Sequence, residues 1–469
     1  MLTLAFDSAS KDCSGFSRRN FLRAGALGLG SLTLPQLLQL KAESAAAGDP
    51  AFLRDRSVVM VFLGGGMSHI ESFNPNMDAA EPARSITGEV KTSIPGLAFG
   101  GTFPELAKRA KHAAIIRSFR HSVGNHEQAI SHVLTGGTDP NGQAQQGQSM
   151  GAMYARLRGP NHPKSGLPTY TLLTAPHKDN QYSRELSRVM VGSRAGSLGA
   201  NYEPFIPAGK GTALANMQLR LNADRLHDRR DLLKQLDELK SGIDSRDTGK
   251  SFTQFERQAA DIILNGAGDV FDISKEPKAI FEKYDTSSFK CGKKVFEPSI
   301  LGKQFLMARR LLEAGCGFVT VQSAGWDMHA DGNNPPVKEG MEMLGRPLDK
   351  ALSAFIDDLE QRGLLEKTLI IVTGDFGRTP KINKNGGRDH WANLSTLAFF
   401  GGGICSGQVI GKSAKNNDVP ASDPISTPNL LASVMNYLFD VGVVRVTRNL
   451  PSNIVNAIGA AKPIDELFE

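Results

Sequence analysis

Five short stretches of the 469-residue chain gather the groups that do chemistry. GGGMSHIES carries Ser68, His69 and Glu71. RSFRHSVGNHEQ carries Arg117, Arg120, His121, Asn125, His126 and Glu127. GWDMHADG carries Asp327 and His329, GDFGR carries Asp375 and Arg378, and GGRDHW carries Arg388, Asp389 and His390. Asp327 and His329 stand two residues apart, and on extended backbone side chains with that spacing share a face. A carboxylate and an imidazole so placed take one divalent ion, with Asp375, Asp389 or His390 closing the shell. Mixed oxygen and nitrogen ligation suits Zn²⁺ or Mn²⁺, and carboxylate-dominated ligation suits Mg²⁺ or Ca²⁺.

The surrounding groups extend that chemistry to an anionic ester. A bound metal polarises an ester oxygen and lowers the pKa of a water. Arg120, Arg378 or Arg388 hold the anion in bidentate fashion, with Asn125 among the binding groups. His126 or His121 act as general acid and base or as the attacking group, and Ser68 is a secondary nucleophile. Each also has a plainer role. Asp375 caps a strand end or makes an Asx-turn, His390 packs beside Trp391, and His126 simply begins a helix after Asn125. The DFG triplet at Asp375 does not make a kinase, because no V-A-I-K-like strand or H-R-D loop precedes it.

These stretches follow apolar runs that must position them. SVVMVFLGGG (Ser57–Gly66), Ala113–Arg117, Pro168–Thr174, Cys316–Gln322, Thr368–Thr373 and Ser395–Gly403 read as buried strands. HEQAISHVLTGG, Lys303–Gly315, PLDKALSAFIDDLEQRGLL and Thr427–Gly442 read as helices, the third with Leu348, Leu352, Phe355, Ile356 and Leu359 on one face. Buried strands alternating with amphipathic helices make an α/β fold with a mostly parallel sheet covered on both faces. Ligands bind beyond the carboxyl ends of such strands, which is where the acids and imidazoles fall. Leu219, Leu226, Leu233, Leu236 and Leu239 recur at near-helical spacing and mark a helical insertion over about residues 213–288.

SRRNFLR (Ser17–Arg23), an uncharged run from Ala24 to Leu40 and the A-x-A of Ala45 and Ala47 form a leader over residues 1–47. The twin arginine resembles the signal read by the Tat export machinery. The expected location is periplasmic or extracellular, or membrane-anchored where the leader is kept. The formal charge is +6, and the first 47 residues hold five Lys/Arg against three Asp/Glu, so the mature chain carries +4. No long basic run points to nucleic acid. Cys291, Cys316 and Cys405 remain after the leader, without C-x-x-C spacing, which argues against a disulfide framework.

GGGMSHIESFNP, IIRSFRH with NHEQA and LTGG, GWDMH, GDFGRTP and GRDHW together resemble domain of unknown function 1501, a branch of the alkaline phosphatase and sulfatase-like superfamily. The likeness spans nearly the whole mature chain. It implies a three-layer α/β/α sandwich, a divalent metal site, and a sulfated or phosphorylated glycan or small anion as ligand. By position, Asp327 and His329 resemble the acid and imidazole sharing one metal, Asp375 the acid after the next strand, and His390 the late histidine. The nucleophile position falls on or near His126. The chain departs from the superfamily pattern after the first strand, where Gly66, Met67, Ser68 and His69 replace an Asp. It departs again at Asp375–Phe376, in place of Asp-His. These departures leave open a second metal site, a covalent nucleophile, and a non-catalytic descendant that binds an anionic glycan or a partner protein.

Overall fold

Alternate residues of β1 (Ser57–Leu63) enter opposite cores. Val58, Met60 and Phe62 join one apolar cluster, and Val59, Val61 and Leu63 join the other. A strand buried on both faces belongs in the middle of a covered parallel sheet. In the computed structural model β1 lies between β4 (Phe318–Ser323) and β5 (Thr368–Gly374). The sheet is completed by β2 (Ala113–Ile116), β3 (Tyr170–Leu173), β6 (Leu397–Gly401) and β7 (Gln408–Ile410). Its order is β7-β2-β6-β5-β1-β4-β3, and only β6 runs against its neighbours.

The structure describes residues 50–139, 142, 147–175, 182–207, 267–292 and 297–469. The expected leader over 1–47 lies outside the described residues, as does the expected helical insertion from 213 to 266. The end of that insertion gives 3-10 turns at Ala267–Phe271 and Ile273–Lys275 and a short helix at Lys278–Tyr284. Among the described residues no helix is long and apolar enough to cross a membrane.

Helices cover both faces, which makes the expected three-layer α/β/α sandwich. One core packs α4 (Leu301–Glu313) and α5 (Arg346–Gln361) on the sheet through Phe305, Leu352 and Phe355. The other packs α1 (His126–Leu134), α2 (Met150–Arg158), α6 (Thr427–Leu438) and α7 (Ser452–Gly459) through Ile130, Met153, Met435 and Ile454. Further along the same face α3 (Ser183–Gly192) adds Val189. Cys291, Cys316 and Cys405 are all free thiols, and Cys316 is buried as a small apolar group.

Register positions the site. Leu63 pairs with Ser323 on one side and Gly374 on the other. The residues that follow (Gly64 to Gly66, Ala324 to Asp327, and Asp375) therefore leave the sheet at one level. The stretch after Asp375, which reads as a loop by its glycines and charges, folds into a hairpin of Gly377–Ile382 and Arg388–Trp391. Its register sets Arg378 opposite His390, and a bulge separates that pair from Ile382 and Arg388.

Candidate metal centre

Asp375 follows β5 directly and is fully buried. Its carboxylate accepts from the Gly65 N–H, at 3.0 and 3.2 Å to the two oxygens. Gly65 is required there: its φ is +101°, and a Cβ would stand 2.5 Å from the Asp327 nitrogen. Asp375 Oδ2 also takes the proton of His126 Nδ1 at 2.6 Å. That fixes the tautomer of His126, whose ring sits in the first turn of α1 and whose helix is capped by the Asn125 side chain on Gln128 N–H.

His329 and His390 are held in the same way. His329 Nδ1 lies 2.9 Å from Asp389 Oδ1, and His390 Nδ1 lies 3.1 Å from the Gly124 carbonyl. Three imidazoles thus have Nδ1 on an oxygen acceptor and turn Nε2 inward. All three inward nitrogens meet Asp327. His329 Nε2 and His390 Nε2 lie 3.0 and 3.3 Å from Asp327 Oδ1, and 2.8 Å from one another. His126 Nε2 lies 3.2 Å from Asp327 Oδ2. It lacks hydrogen-bond geometry there and is a buried atom without a hydrogen-bond partner. The donor atoms of His126, Asp327 and His390 all fall within 4.8 Å of one another.

Arg378 supplies the counter-charge. Its Nη2 sits 2.6 Å from Asp327 Oδ1. Nε donates to the Gly66 carbonyl at 2.9 Å, Nη1 to the Arg388 carbonyl at 3.1 Å, and Nη2 also to the Gly65 carbonyl. Burial raises the Asp327 carboxyl, but Arg378 and the three histidines hold it far below the ordinary carboxylate range. Burial likewise lowers His126, but Asp327 and Asp375 outweigh it and push its pKa up to about 9. His390 is lowered, chiefly by burial. The raised pKa keeps His126 protonated at neutral pH, and His329 is raised as well, its burial outweighed by Asp327 and Asp389. With all three imidazoles neutral, as ligation requires, Asp327, Asp375 and Asp389 against Arg378 give a formal charge of −2 at the cluster.

The remaining expected site residues have other places. Arg388 is fully buried: Nε and Nη2 bind Glu71 Oε1 at 3.2 and 2.9 Å, and its other hydrogens go to the carbonyls of Pro82, Thr379, Pro380 and Arg84. No donor is left for a ligand. Ser68 donates its hydroxyl to Glu71 and is buried with it. His121 stands behind Asp375, its Nε2–H donating to the Asp375 carbonyl at 2.6 Å and its Nδ1 accepting from Val123 N–H at 3.2 Å. Burial, then His132, pull its pKa down to about 4, so the ring is neutral. Arg120 is half-buried next to it, and Asn125 is exposed at the mouth of α1.

Glu185 on α3 is a participant that the sequence does not announce. It accepts from Gly325 N–H at 2.7 Å and so pins the turn that delivers Asp327. Burial, with Asp327 and Asp375 adding to it, raises its pKa to about 8. It sits among serines and arginines at ordinary helical spacing, which gives no signal of a buried acid.

The chain belongs to the family described as "Protein of unknown function (DUF1501)", which matches residues 55–464. No curated protein matches it in sequence. Among solved structures it is similar to the PsFucS1 sulfatase from Pseudoalteromonas sp., with 13% identity over 86% of this chain and 70% of that one and a TM-score of 0.35. The lipoteichoic acid synthase LtaP from Listeria monocytogenes shares 9% identity over 85% and 77%, with a TM-score of 0.35. The alkaline phosphatase from the Antarctic bacterium TAB5 shares 12% over 77% and 95%, with a TM-score of 0.31.

Proposed function

We propose that this DUF1501 protein is a metal-dependent hydrolase of phosphate or sulfate esters, exported by the Tat route suggested by Ser17–Arg23. The observation that carries the metal is the common orientation of His126, His329 and His390. Each has its outer nitrogen on an oxygen and its inner nitrogen on Asp327. Outer acceptors of this kind fix ligand tautomers at metal sites. His390 Nε2 stands 2.8 Å from His329 Nε2 and 3.3 Å from Asp327 Oδ1, and the donors of His126, Asp327 and His390 lie within 4.8 Å of one another, near the roughly 3.3–3.4 Å between tetrahedral donors at zinc bond lengths. Two imidazoles and one carboxylate, with His329 beside them, favour Zn²⁺ or Mn²⁺ over Mg²⁺ or Ca²⁺.

A bound divalent ion supplies Lewis acidity toward an ester oxygen and acidity to a water. The chain supplies the rest. Asp375 and Asp389 orient His126 and His329, Arg378 holds Asp327 ionised, and the Asp375 carboxylate keeps the His126 Nδ1 proton out of the way. Arg120, half-buried, and Asn125, exposed beside His126, are proposed to meet the anion. Assays of the purified protein with zinc or manganese against 4-nitrophenyl phosphate and 4-nitrophenyl sulfate test the reading. Turnover that disappears in Asp327→Ala supports it, and no turnover with either ester at full metal occupancy rejects hydrolysis.

A second reading follows from Arg378 and Arg388, whose guanidiniums are committed inside the protein. Among the described residues no serine, threonine or cysteine side chain is hydrogen-bonded to the metal-facing groups. The same centre then serves a non-hydrolytic module that binds an anionic glycan or a partner protein. Tight binding of a sulfated glycan without turnover distinguishes it.

A further inference from the structure

One fixed cation already lies inside the cluster. Arg378 is 1% exposed, and its guanidinium is ringed by oxygens. Nη2 donates to Asp327 Oδ1 at 2.6 Å and to the Gly65 carbonyl, Nε to the Gly66 carbonyl at 2.9 Å, and Nη1 to the Arg388 carbonyl at 3.1 Å. One carboxylate and three carbonyls are a donor set that also suits Mg²⁺, Ca²⁺ or Mn²⁺. Asp327 therefore faces two ways. Its Oδ1 meets the guanidinium, and its Oδ2 lies 3.2 Å from His126 Nε2. His329 stands between the two sides, its Nε2 lying 3.5 Å from Arg378 Nη1 and 2.8 Å from His390 Nε2.

The neighbouring acids have little to offer a further ion. Asp375 is fully buried and engages the Gly65 N–H and His126 Nδ1. Asp389 Oδ1 is shared by His329 Nδ1 and the Asn383 amide, at 2.9 and 3.2 Å. Phe376 brings an apolar ring and not a donor. Its centroid lies 4.9 Å from that of His126 and 4.4 Å from that of His390. The Arg378 guanidinium carbon lies 5.7 Å from the Phe376 centroid, within cation–π range. Among the described residues, His126, Asp327 and His390 are the one group of three metal-type donors brought together.

We infer that the Arg378 guanidinium is the built-in second cation of this centre, which therefore takes a single divalent ion. Two-metal sites place their ions about 3.5–4 Å apart, a gap that one carboxylate spans. Here Asp327 spans from the metal-type donors to a guanidinium instead. A guanidinium does not lose its proton in a protein, so this position stays filled at every working pH. The inference rests on the metal reading above and is independent of hydrolysis.

Equilibrium dialysis of the whole protein against a graded excess of Mn²⁺, with metal counted per chain, tests it. Manganese suits both donor sets. The wild type is expected to level off at one equivalent. Arg378→Ala exposes the four oxygens and is expected to rise to two, whereas an arginine needed only for folding would lose metal on substitution and not gain it. Arg378→Lys keeps the charge and stays at one. Phe376→His sets a new donor beside Asp375 with the guanidinium intact and also stays at one, which keeps the test valid if Arg378→Ala does not fold. The inference is overturned if the wild type, Arg378→Lys or Phe376→His binds two, or if folded Arg378→Ala binds one or none. A wild type that binds no manganese is a different result, because it rejects the metal reading itself.

Discussion

Asp375 Oδ2 lies 2.6 Å from His126 Nδ1, across 249 residues of chain. One residue ends a sheet strand and the other begins a helix, and their contact aims the second nitrogen of His126 at Asp327. Replacing Asp375 with Asn keeps an acceptor for that proton but removes the charge. Loss of an outer partner of this type costs about 10- to 100-fold in metal affinity. Zinc titration calorimetry of Asp375→Asn is expected to show a drop in that range with the protein still folded, and unchanged affinity counts against the ligand role of His126.

The Arg388–Glu71 pair is a stability element and not part of the anion site. Both side chains are fully buried, and the guanidinium meets the carboxylate through two nitrogens. Removing one partner of a buried pair strands the other charge and costs about 3–5 kcal/mol. Glu71→Gln is expected to lose stability on that scale in urea unfolding, while the protein that remains folded binds metal with normal stoichiometry.

Gly65 and Gly88 separate backbone strain from close approach. Both have positive φ, +101° and +75°, but a Cβ on Gly88 meets nothing within 4 Å. Gly88→Ala should cost only the left-handed conformation, about 1 kcal/mol. Gly65→Ala must in addition push the Asp327 turn aside. It is expected to be less stable than Gly88→Ala and to bind metal more weakly, and equal behaviour of the two variants removes the role given to the turn after β1.

How far these relationships can be read from sequence depends on their kind. The strands of the sheet are legible because runs such as VVMVFL and TLIIV suit only a strand covered on both faces. The gathering of acids and imidazoles beyond the strand ends follows from parallel topology alone. The hairpin that sets Arg378 opposite His390 is not legible, because its glycines and charges read as a loop and its pairing is fixed by tertiary contacts. Nor does sequence separate an arginine that meets a ligand from one that meets carbonyls. Arg378 and Arg388 are committed to Asp327, Glu71 and backbone carbonyls that only the fold brings to them. Glu185 is hidden for the same reason, since its burial is set by the Gly325 turn and not by its neighbours in α3.

Asp349 provides a pH-dependent stability term away from the centre. It accepts from the backbone N–H groups of Glu105 and Leu106 at 3.0 and 2.7 Å, and burial pushes its pKa up to about 6. A carboxyl with a raised folded pKa adds stability that is complete below the unfolded value of 3.8 and is lost as pH rises through about 6. From pH 4 to pH 7 the wild type should therefore lose on the order of 2–3 kcal/mol relative to Asp349→Asn. Parallel unfolding curves over that range check the sign, and a wild type that gains on the variant contradicts it.

The most direct measurement is elemental analysis of the folded, dialysed protein beside Asp327→Ala, whose carboxylate meets all three inward nitrogens. Close to one equivalent of zinc or manganese is expected in the wild type, with a large loss in the variant at unchanged secondary structure. Equal metal content in the two proteins, or none in the wild type after incubation with excess zinc and manganese, contradicts it.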